Sequence, residues 1–543
     1  MMANPASVSP PAPRPLWART LIPSLCLLCG LACDGLETPE RMPLPEPVTD
    51  PSDDHAEELR FQPFSEEAGF HSLELFGGHG IQVADVDGDG WLDVYVTHIF
   101  DPSQDRPDLL FLNQRRDPPA FEEIGQAAGV ADDGFFVVRG EDGSAAAVSE
   151  ESHAAVFADL DNDGDFDLFN AHTWSGHNRL YRNEGGGRFV DLTESAGIDV
   201  TDIGTRGVGA ADLDGDGLVD IVLTAWQNAQ PVVYWNLGGL RFARLRVQGA
   251  DNRAFANQGI TIVDFDGDRQ PDIALTSFEH VQTEGVGPVA LLRNLSARFA
   301  DVTDYAGIEY PQTSSDFRGA NGWSFADVDN DGFVDVLVTG SHGARLYRNN
   351  GEGRFHLIRR LEGAWYTGAF GDVDNDGDLD LYLAGDSGLY LNDGRGGFEF
   401  RGGIGLEGIG TDARSAVFAD ANNDGALDLI IASKQGPNTF FLNRSRLGAW
   451  LKVELVAPSG EIGAIGSRVS LFSEGRLGSV EAMVGVRVVQ ASTGYCSQDP
   501  AILHFGVAAN ELFDLEVEFP DGTTRARRGL TPNQLVRVDG REP

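Results

Sequence analysis

A nine-residue pattern with aspartate at positions one, three, five and nine recurs along this chain in seven copies, the last of them lacking the third-position aspartate. The first copy reads DVDGDGWLD and the second DLDNDGDFD. Successive copies begin 45 to 74 residues apart, a spacing typical of propellers, solenoids and other repeat proteins. Carboxylates about 4–5 Å apart repel one another by around 1 kcal/mol even in water. The repeat therefore constrains both fold and chemistry, because so many clustered carboxylates require a cation.

Each copy has the same surroundings, with one apolar strand pattern before it and further strand patterns after it. In the second copy these are AAVFA, DLFNA, LYRN and the phenylalanine-containing RFVDLT. Seven units of four short strands predict an all-β fold built around a seven-bladed β-propeller. The last unit lacks its phenylalanine strand, whereas the segment 60–64, RFQPF, precedes the first unit. We therefore expect that segment to complete the seventh blade, and residues 131–152 to form an inserted loop.

The acidic loops predict calcium as the cofactor, with up to seven ions and one in each blade. Hard oxygen ligands in this number favour Ca²⁺, which accepts six to eight of them. The expected ligands are the side chains at positions one, three, five and nine and the backbone carbonyl at position seven. Glycine at position six allows the turn in six copies, and Arg269 replaces it in the fourth, so we expect that site to be the weakest. An EF-hand is excluded because position twelve is never glutamate and the flanks are strands.

The predicted metal ligands occupy equivalent positions in all seven copies. They are Asp85, Asp87, Asp89, Trp91, Asp93, Asp159, Asp161, Asp163, Asp165, Asp167, Asp212, Asp214, Asp216, Leu218, Asp220, Asp264, Asp266, Asp268, Gln270, Asp272, Asp327, Asp329, Asp331, Phe333, Asp335, Asp372, Asp374, Asp376, Asp378, Asp380, Asp420, Asn422, Asp424, Ala426 and Asp428. Asn422 takes the third position of the last copy and offers a neutral oxygen ligand.

A second set of candidates lies six residues before the first aspartate of each copy. This position is expected to begin the innermost strand, at the face opposite the acidic loops, and it is large and polar in every blade. Thirteen residues after the first aspartate the chain returns to that face, with histidine in the first two blades. The candidate ligand-binding residues are His79, His98, His153, His172, Arg206, Gln258, Asn321, Tyr366 and Arg414. Three interpretations of this rim stay open: a polar channel lining, a ligand surface, or a second metal or catalytic cluster.

From Ala449 onward the sequence changes to strand patterns separated by Gly, Pro and Asp turns. The patterns are WLKVELV, RVSLF, VEAMV, VRVVQ, ILHFG, FDLEVEF and QLVRV. They predict a small β domain, either a sandwich or barrel-like. His504 is a lone histidine in an apolar strand, and we expect its role to be structural.

The blade pattern resembles the FG-GAP, or VCBS-type, repeats of integrin α-subunit propellers and of secreted bacterial proteins. The tail resembles the ASPIC and UnbV domain through GAIGSRVSLF, STGYCSQDPAILHFGV, VEFPDGTT and LTPNQLVRV. The combination is similar to the family of cartilage acidic protein and its bacterial relatives. This resemblance implies an integrin α-like propeller with a calcium loop between the first two strands of each blade. Cys496 departs from the family, which usually has an apolar residue there.

The N-terminal sequence indicates export. Arg14 and Arg19 precede the apolar run LIPSLCLLCGLA, which has about the length of a signal-peptide core and is too short to span a bilayer. The run ends at Cys33, where lipidation and ordinary cleavage nearby stay alternatives. The product would be secreted or, if lipidated, an outer membrane lipoprotein at the cell surface. The expected domains are a signal peptide at 1–33, a Pro-rich acidic tether at 34–56, the propeller at 57–445 and the ASPIC/UnbV-like β domain at 446–541.

The formal net charge of −44 argues against nucleic acid and anionic membranes as partners. Membrane contact is therefore expected only through an N-terminal lipid anchor. The sequence presents no recognisable nucleophile with a base and an orienting residue, so no catalytic residue is assigned. We expect a non-enzymatic binding or adhesion module with a protein or glycan ligand. Two alternatives stay open: an extracellular carbohydrate-active lyase or hydrolase with its site at the rim, and an assembly partner that docks another protein.

Overall fold

The computed structural model describes the chain from residue 59 to residue 542, apart from short internal segments. Those segments are 71–77, 99–106, 132–134, 140–144, 150–151, 174–177, 199–203, 226–229, 248–256, 278–287, 312–318, 408, 410–411 and 446. The predicted export signal, Cys33 and the acidic tether therefore lie outside the described residues. Within the described part, no helix is both long and apolar enough to cross a membrane.

Seven antiparallel units of four strands each follow one another along the chain, and we number them as blades one to seven. Blade one contains Ile81–Ala84, Asp93–Val96, Leu109–Asn113 and Phe121–Glu123. Blade two contains Ser152–Ala158, Asp167–His172, Arg179–Asn183 and Phe189–Asp191. Blade three contains Thr205–Ala211, Asp220–Ala225, Val232–Asn236 and Phe242–Arg246. Blade four contains Asn257–Val263, Asp272–Ser277, Val289–Asn294 and Phe299–Asp301.

The last three blades repeat the same order of strands. Blade five contains Ala320–Ala326, Asp335–Gly340, Gly343–Asn349 and Phe355–Leu361. Blade six contains Gly368–Gly371, Asp380–Leu383, Gly388–Asn392 and Phe398–Gly402. Blade seven contains Ala413–Ala419, Asp428–Ser433 and Thr439–Asn443, completed by the N-terminal strand Phe61–Pro63.

Blade seven is closed by the start of the chain, as the sequence predicted. Phe61 pairs with Asn443 and Pro63 with Phe441 in an antiparallel ladder. The first strand of each blade contacts that of the next, and the first strand of blade seven contacts that of blade one. The innermost strands therefore form a closed ring, and the predicted all-β propeller fold is confirmed.

Burial follows the position of each strand within its blade. The innermost strand of blade two, SHAAVFA, is buried along its whole length because neighbouring blades cover both faces. The outermost strand of blade five begins with a buried phenylalanine and is otherwise largely exposed. Single helical turns follow the outermost strands of blades one, two and four, at Gly125–Ala128, Thr193–Ala196 and Thr303–Ala306. Each turn ends at a glycine with positive φ, the usual left-handed helix cap.

The insertion after blade one contains a hairpin rather than only the expected loop. Its strands, Phe135–Arg139 and Ala145–Ser149, form a two-stranded sheet. Their sequences FFVVR and AAAVS supply the apolar and β-branched residues that favour strands. The acidic GEDGS between them has the composition of a turn.

The C-terminal domain consists of two sheets, as expected for a sandwich. Its three-stranded sheet contains Leu503–Val507, Ala449–Val456 and Gln534–Asp539. Its four-stranded sheet contains Met483–Val488, Arg468–Ser473, Phe513–Glu518 and Thr524–Leu530. Leu451, Val453, Leu471, Leu515 and Val517 are completely buried and belong to one core.

Two details of the predicted strands in this domain are wrong. VEAMV and VRVVQ are not separate strands, because Val480–Ala482 forms a 3-10 turn and leads into the single strand Met483–Val488. The strand Thr524–Leu530, TRARRGL, was not predicted. It lies at the edge of its sheet, where arginines replace the apolar side chains that reveal a buried strand.

Candidate functional site

The first aspartate of each acidic loop organises the loop backbone. In blade one, Asp85 Oδ1 accepts a hydrogen bond from the Asp89 amide at 3.0 Å, and Oδ2 accepts one from the Gly90 amide at 2.8 Å. Equivalent pairs of bonds form at Asp159, Asp212, Asp264, Asp327 and Asp420. In every loop the amide at position seven donates to the aspartate at position five. These bonds hold the position-seven residue, whose carbonyl is a predicted ligand.

The loop backbone has positive φ at two positions, six and four. Position six has φ between 86° and 103° at its six glycines, and Arg269 adopts the same conformation with φ 69°. Position four also has positive φ, for example 74° at Gly88 and 59° at Asn162. Every copy has glycine or asparagine at position four, the residues that tolerate this conformation best. The restriction of position four to glycine or asparagine was therefore the sequence feature from which its positive φ could have been predicted.

Carboxylates of the acidic loops converge in groups of three. In blade one, carboxylate oxygens of Asp85, Asp87 and Asp93 lie within 4.8 Å of one another. Similar groups form in the next three blades: Asp159 with Asp161 and Asp163, Asp212 with Asp214 and Asp220, and Asp264 with Asp266 and Asp272. The ninth-position aspartates are buried in all seven loops, with side chains such as Asp93 and Asp220 almost inaccessible.

Burial raises the pKa values of these carboxyl groups. The pKa of the ninth-position aspartate is raised to about 8 in blades one, two, three and five, mainly by desolvation and further by neighbouring carboxylates. At the first position, burial raises the pKa of Asp85 and of Asp159 to about 6, and the pKa of Asp327 and of Asp372 to about 7. A bound cation would oppose these shifts, because an adjacent positive charge stabilises the ionised carboxylates.

The third position of the loops leaves buried oxygens without donors. Asp161 Oδ1, Asp266 Oδ1, Asp329 Oδ1 and Asn422 Oδ1 are inaccessible and accept no hydrogen bond from the described part of the chain. A buried acceptor without a partner costs free energy. Each of these oxygens belongs to a loop whose other oxygen atoms converge nearby. The donor set therefore fits a hard cation such as Ca²⁺, which prefers oxygen ligands.

Protein cations already contact several loops. Arg293 pairs with Asp266 at 2.7 Å and with Asp268 at 2.9 Å, and Arg348 pairs with Asp329 at 2.9 Å. The arginine side chains in these pairs are about 40 % exposed, so they can turn into solvent. Lys452 of the C-terminal domain differs, because its side chain is only 8 % exposed. Its Nζ lies 2.8 Å from Asp420 Oδ2 and 2.7 Å from Asn423 Oδ1, so blade seven contains a buried ammonium group.

An asparagine at the end of the third strand ties each loop to the preceding blade. In blade five, the Asn349 amide donates to Asp335 Oδ1 at 2.7 Å, and its side-chain Nδ2 donates to Val334 O at 3.0 Å and to Phe265 O of blade four at 2.8 Å. The same bonds recur at Asn113, Asn183, Asn236, Asn294, Asn392 and Asn443. The sequence shows this asparagine in all seven copies, but its role was not predicted.

The rim residues do not line an open channel entrance. His79, His98, His153 and His172 are between 0 and 4 % exposed. A segment of the C-terminal domain, residues 491–499, covers this region, and we call it the plug. Ser497–Gln498 of the plug pairs in parallel with Ile81 and Gln82, so that blade one gains a fifth strand. At these positions the histidine side chains therefore make contacts within the chain.

The plug contacts the innermost strands of several blades. The Gln498 side chain exchanges two hydrogen bonds of 2.8 Å with the backbone of Phe157 in blade two. Gly494 exchanges backbone hydrogen bonds with Trp323 in blade five, and the Tyr495 amide donates to Thr367 Oγ1 beside blade six. Pairings of this kind explain why residues expected to face water are buried instead.

The other rim candidates are placed by the same packing. The Arg414 guanidinium lies 3.8 Å above the Tyr366 ring and pairs with Asp412, and Tyr366 contacts Tyr495 at 5.2 Å between centroids. The remaining candidates make the following contacts: Asn321 Nδ2 donates to Trp365 O, Arg206 O accepts from His153 Nδ1, the His98 amide donates to Asp108, and His172 Nε2 lies 3.1 Å from Ser152 Oγ. The side chain of Gln258 lies outside the described residues.

The C-terminal domain also contacts the acidic loops directly. The Ile462 amide donates to Asp159 Oδ2 at 3.1 Å, and the Gly506 amide donates to Asp372 Oδ2 at 2.7 Å. With Lys452 on Asp420, first-position aspartates of blades two, six and seven all bond to this domain. His504 Nε2 lies 2.7 Å from Asn375 Oδ1 in the loop of blade six, which gives it a structural contact.

Comparisons with known proteins match the propeller and the C-terminal domain separately. The model of the FG-GAP-like repeat matches residues 159–223, 212–275, 327–383 and 372–431, and the ASPIC and UnbV model matches residues 458–542. Mouse cartilage acidic protein 1 is 25 % identical over 283 residues, which are 50 % of this chain and 40 % of that protein. The chain thus spans about two-fifths of the curated relative.

The comparisons with solved structures also gave matches of low sequence identity. Sqt1 of Saccharomyces cerevisiae is 14 % identical with a TM-score of 0.41, covering 68 % of this chain and 98 % of that chain. The Dos1 propeller is 10 % identical with a TM-score of 0.39, covering 73 % of this chain and 98 % of that chain.

Proposed function

Because the chain carries FG-GAP-like repeats followed by an ASPIC and UnbV domain, we propose that it is an exported calcium-binding module that binds a protein or glycan ligand. The similarity to cartilage acidic protein 1 supports a binding role outside the cell. The net charge of −44 is consistent with a preference for cations.

Calcium binding is supported above all by the buried third-position oxygens that accept no hydrogen bond from the described residues. Asp161 and Asp266 each have such an oxygen and belong to a group of converging carboxylates. A Ca²⁺ ion at that point would coordinate this oxygen and balance two of the negative charges of the group. Neither a water nor an exposed arginine supplies two positive charges.

Five of the seven loops are proposed to bind Ca²⁺ without competition from a buried cationic side chain. In blade six the Arg487 guanidinium, only 8 % exposed, lies 3.9 Å from Asp372 Oδ2. In blade seven the ammonium of Lys452 is bonded to Asp420 and lies where it opposes a second cation. Blade four is expected to bind more weakly than the regular sites, because Arg269 takes the glycine position and Arg293 pairs with two of its aspartates.

Ligand binding is proposed to depend on calcium because the acidic loops hold neighbouring blades in place. Each loop connects to the preceding blade through a buried asparagine, so a collapsed or repelled loop would disturb two blades at once. The C-terminal domain forms hydrogen bonds with the loops of blades two, six and seven. These bonds would be lost if the loops changed conformation.

The enzymatic alternative has less support. It requires substrate to reach the rim histidines, whose side chains are buried, and Tyr495 of the plug contacts two of them, His79 and His153. A substrate would have to displace Tyr495 and the strand Ser497–Gln498 before contacting His79 or His153.

Glycan and protein arrays probed with the full chain test the proposal, in Ca²⁺ and in EGTA. We expect selective binding in Ca²⁺ and its loss in EGTA, restored by returning Ca²⁺. Asp161→Ala should weaken Ca²⁺-dependent binding, whereas Asp521→Ala, in an exposed turn of the C-terminal domain, should not. Binding that is identical in EGTA would contradict the calcium requirement, and no ligand in either condition would contradict the binding module.

A further inference from the structure

Two histidines of adjacent blades meet a tyrosine of the plug at the centre of the ring. Tyr495 Oη lies 3.1 Å from His79 Nε2 and 3.3 Å from His153 Nε2. The imidazole rings of His79 and His153 are 4.1 Å apart between centroids. All three side chains are buried. The acidic loops begin at the opposite ends of the innermost strands, so this cluster is separate from the proposed Ca²⁺ sites.

The backbone fixes which nitrogen of each ring carries a hydrogen. His79 Nδ1 lies 3.1 Å from the carbonyl oxygen of His153, and His153 Nδ1 lies 2.7 Å from that of Arg206. A carbonyl oxygen can only accept, so each Nδ1 must be the donor. Both neutral rings therefore direct the lone pair of Nε2 toward Tyr495 Oη.

One phenol cannot satisfy two such nitrogens. Tyr495 has a single hydroxyl hydrogen, which it can donate to His79 Nε2 or to His153 Nε2. The other nitrogen is left as a buried acceptor that faces an oxygen lone pair, an arrangement that costs free energy. The cluster therefore lacks one proton or cation between His79 Nε2, His153 Nε2 and Tyr495 Oη.

We propose that a divalent transition-metal ion of the zinc class supplies this centre, with His79 Nε2, His153 Nε2, the Tyr495 phenolate and the Cys496 thiolate as ligands. In a tetrahedral site with bonds of about 2.0–2.1 Å to nitrogen and oxygen, ligand atoms lie roughly 3.3 Å apart. The two separations from Tyr495 Oη, 3.1 Å and 3.3 Å, match that spacing. One ring nitrogen each of His79 and His153 and the Sγ of Cys496 also lie within 4.8 Å of one another.

The type of ligand identifies the class of metal. Imidazole and thiolate suit zinc and its neighbours in the first transition row, whereas Ca²⁺ prefers oxygen. The Nδ1–H of each histidine donates to a backbone carbonyl, which is the usual way to orient a metal-binding imidazole. Two anionic ligands would balance the two positive charges of the ion.

Cys496 occupies an unusual backbone conformation at this point. Its φ is 55°, in the left-handed region that costs free energy for a residue with a Cβ. Its carbonyl is held by Gln82 Nε2 at 2.9 Å, and its Sγ lies 3.4 Å from His153 Nδ1. A metal bond would offset this strain and would join blades one and two to the C-terminal domain.

Cobalt titration of the full chain tests the site. The protein is kept in excess Ca²⁺ so that the acidic loops are filled, freed of transition metals with a selective chelator, and titrated with Co²⁺ while the visible spectrum is recorded. We expect one equivalent of Co²⁺ with the strong absorption of a tetrahedral nitrogen–sulfur site, and displacement by Zn²⁺. Metal analysis of the same protein after Zn²⁺ loading should give one zinc per chain.

Variants assign the ligands. His153→Gln and Tyr495→Phe should weaken Co²⁺ binding by more than about 10-fold, the lower end of what even outer-shell changes cost. Cys496→Ser should lose the sulfur-to-cobalt absorption. The control His356→Gln, on the exposed outer strand of blade five, should behave as wild type. If the wild-type protein binds no more Co²⁺ or Zn²⁺ than His153→Gln, a proton rather than a metal fills the cluster and the proposal is wrong.

Discussion

The bridging asparagines make a quantitative prediction that does not depend on any metal. Asn349→Ala removes the Nδ2 that donates to Val334 O within blade five and to Phe265 O in blade four. Asn349 is 2 % exposed, so both carbonyls lose their donor in a buried place. The substitution tests whether these side chains hold neighbouring blades together.

The magnitude follows from the two carbonyls left without a donor. A buried acceptor deprived of its partner costs about 1–3 kcal/mol, so two of them predict a loss of about 2–6 kcal/mol in the free energy of unfolding. The lower end applies if a water molecule enters the vacated space. Asn349 Oδ1 also accepts from the Gly351 amide at 3.0 Å, but that bond lies in a turn nearer to solvent.

Urea unfolding followed by circular dichroism measures the effect, with Asn350→Ala as the matched control. Asn350 is the next residue, is exposed, and accepts from the amides of Glu352 and Arg354 at 3.0 Å and 3.2 Å. We expect the control to cost less than about 1 kcal/mol. Equal midpoints for the two variants would refute the idea that the asparagines link the blades.

Three further predictions concern the acidic loops. Lys452→Met should cost about 3–5 kcal/mol in EGTA by leaving Asp420 unpaired, and calorimetry should then detect one additional Ca²⁺ that restores stability; an unchanged stoichiometry would contradict this. Asp376→Ala should reduce the Ca²⁺-dependent rise in melting temperature more than Asp268→Ala, because Arg293 already neutralises Asp268; the reverse order would contradict our ranking of the sites. In EGTA, stability should fall as pH rises from about 4 to about 8, since burial raises the pKa of the ninth-position aspartates to about 8 and the fold favours their protonated form; saturating Ca²⁺ should remove this trend, and a melting temperature that rises over the same range in EGTA would contradict it.

The ring could be predicted because its information is local and repeated. Each acidic loop fixes its own turn through bonds such as those of Asp85 with Asp89 and Gly90, and the flanking strands are short and apolar. The missing strand of blade seven was found by counting, since six copies show what the seventh lacks. The asparagine bridge was equally visible as a repeated letter, but its partners lie in the preceding blade, for example Phe265 for Asn349.

The covered rim could not be predicted, because its cover comes from a distant part of the chain. His79 and Tyr495 are 416 residues apart in sequence and are in contact in the fold. The plug sequence STGYCSQD has no period of apolar residues that would reveal a strand. Polar side chains at a channel entrance have the same sequence pattern whether water or another domain covers them. The burial of the rim residues could therefore be predicted only by knowing how the C-terminal domain docks.

The central claim is that calcium holds the acidic loops and thereby the ring. The most direct test is the thermal unfolding of the full chain in EGTA and in saturating Ca²⁺, with the number of bound ions measured by calorimetry. One site filled at 100 times its Kd adds about 2.7 kcal/mol of stability, so the five loops without a buried cation predict a rise of many degrees in melting temperature and at least five bound ions. A metal-free protein that melts at the same temperature and takes up no Ca²⁺ would contradict the account.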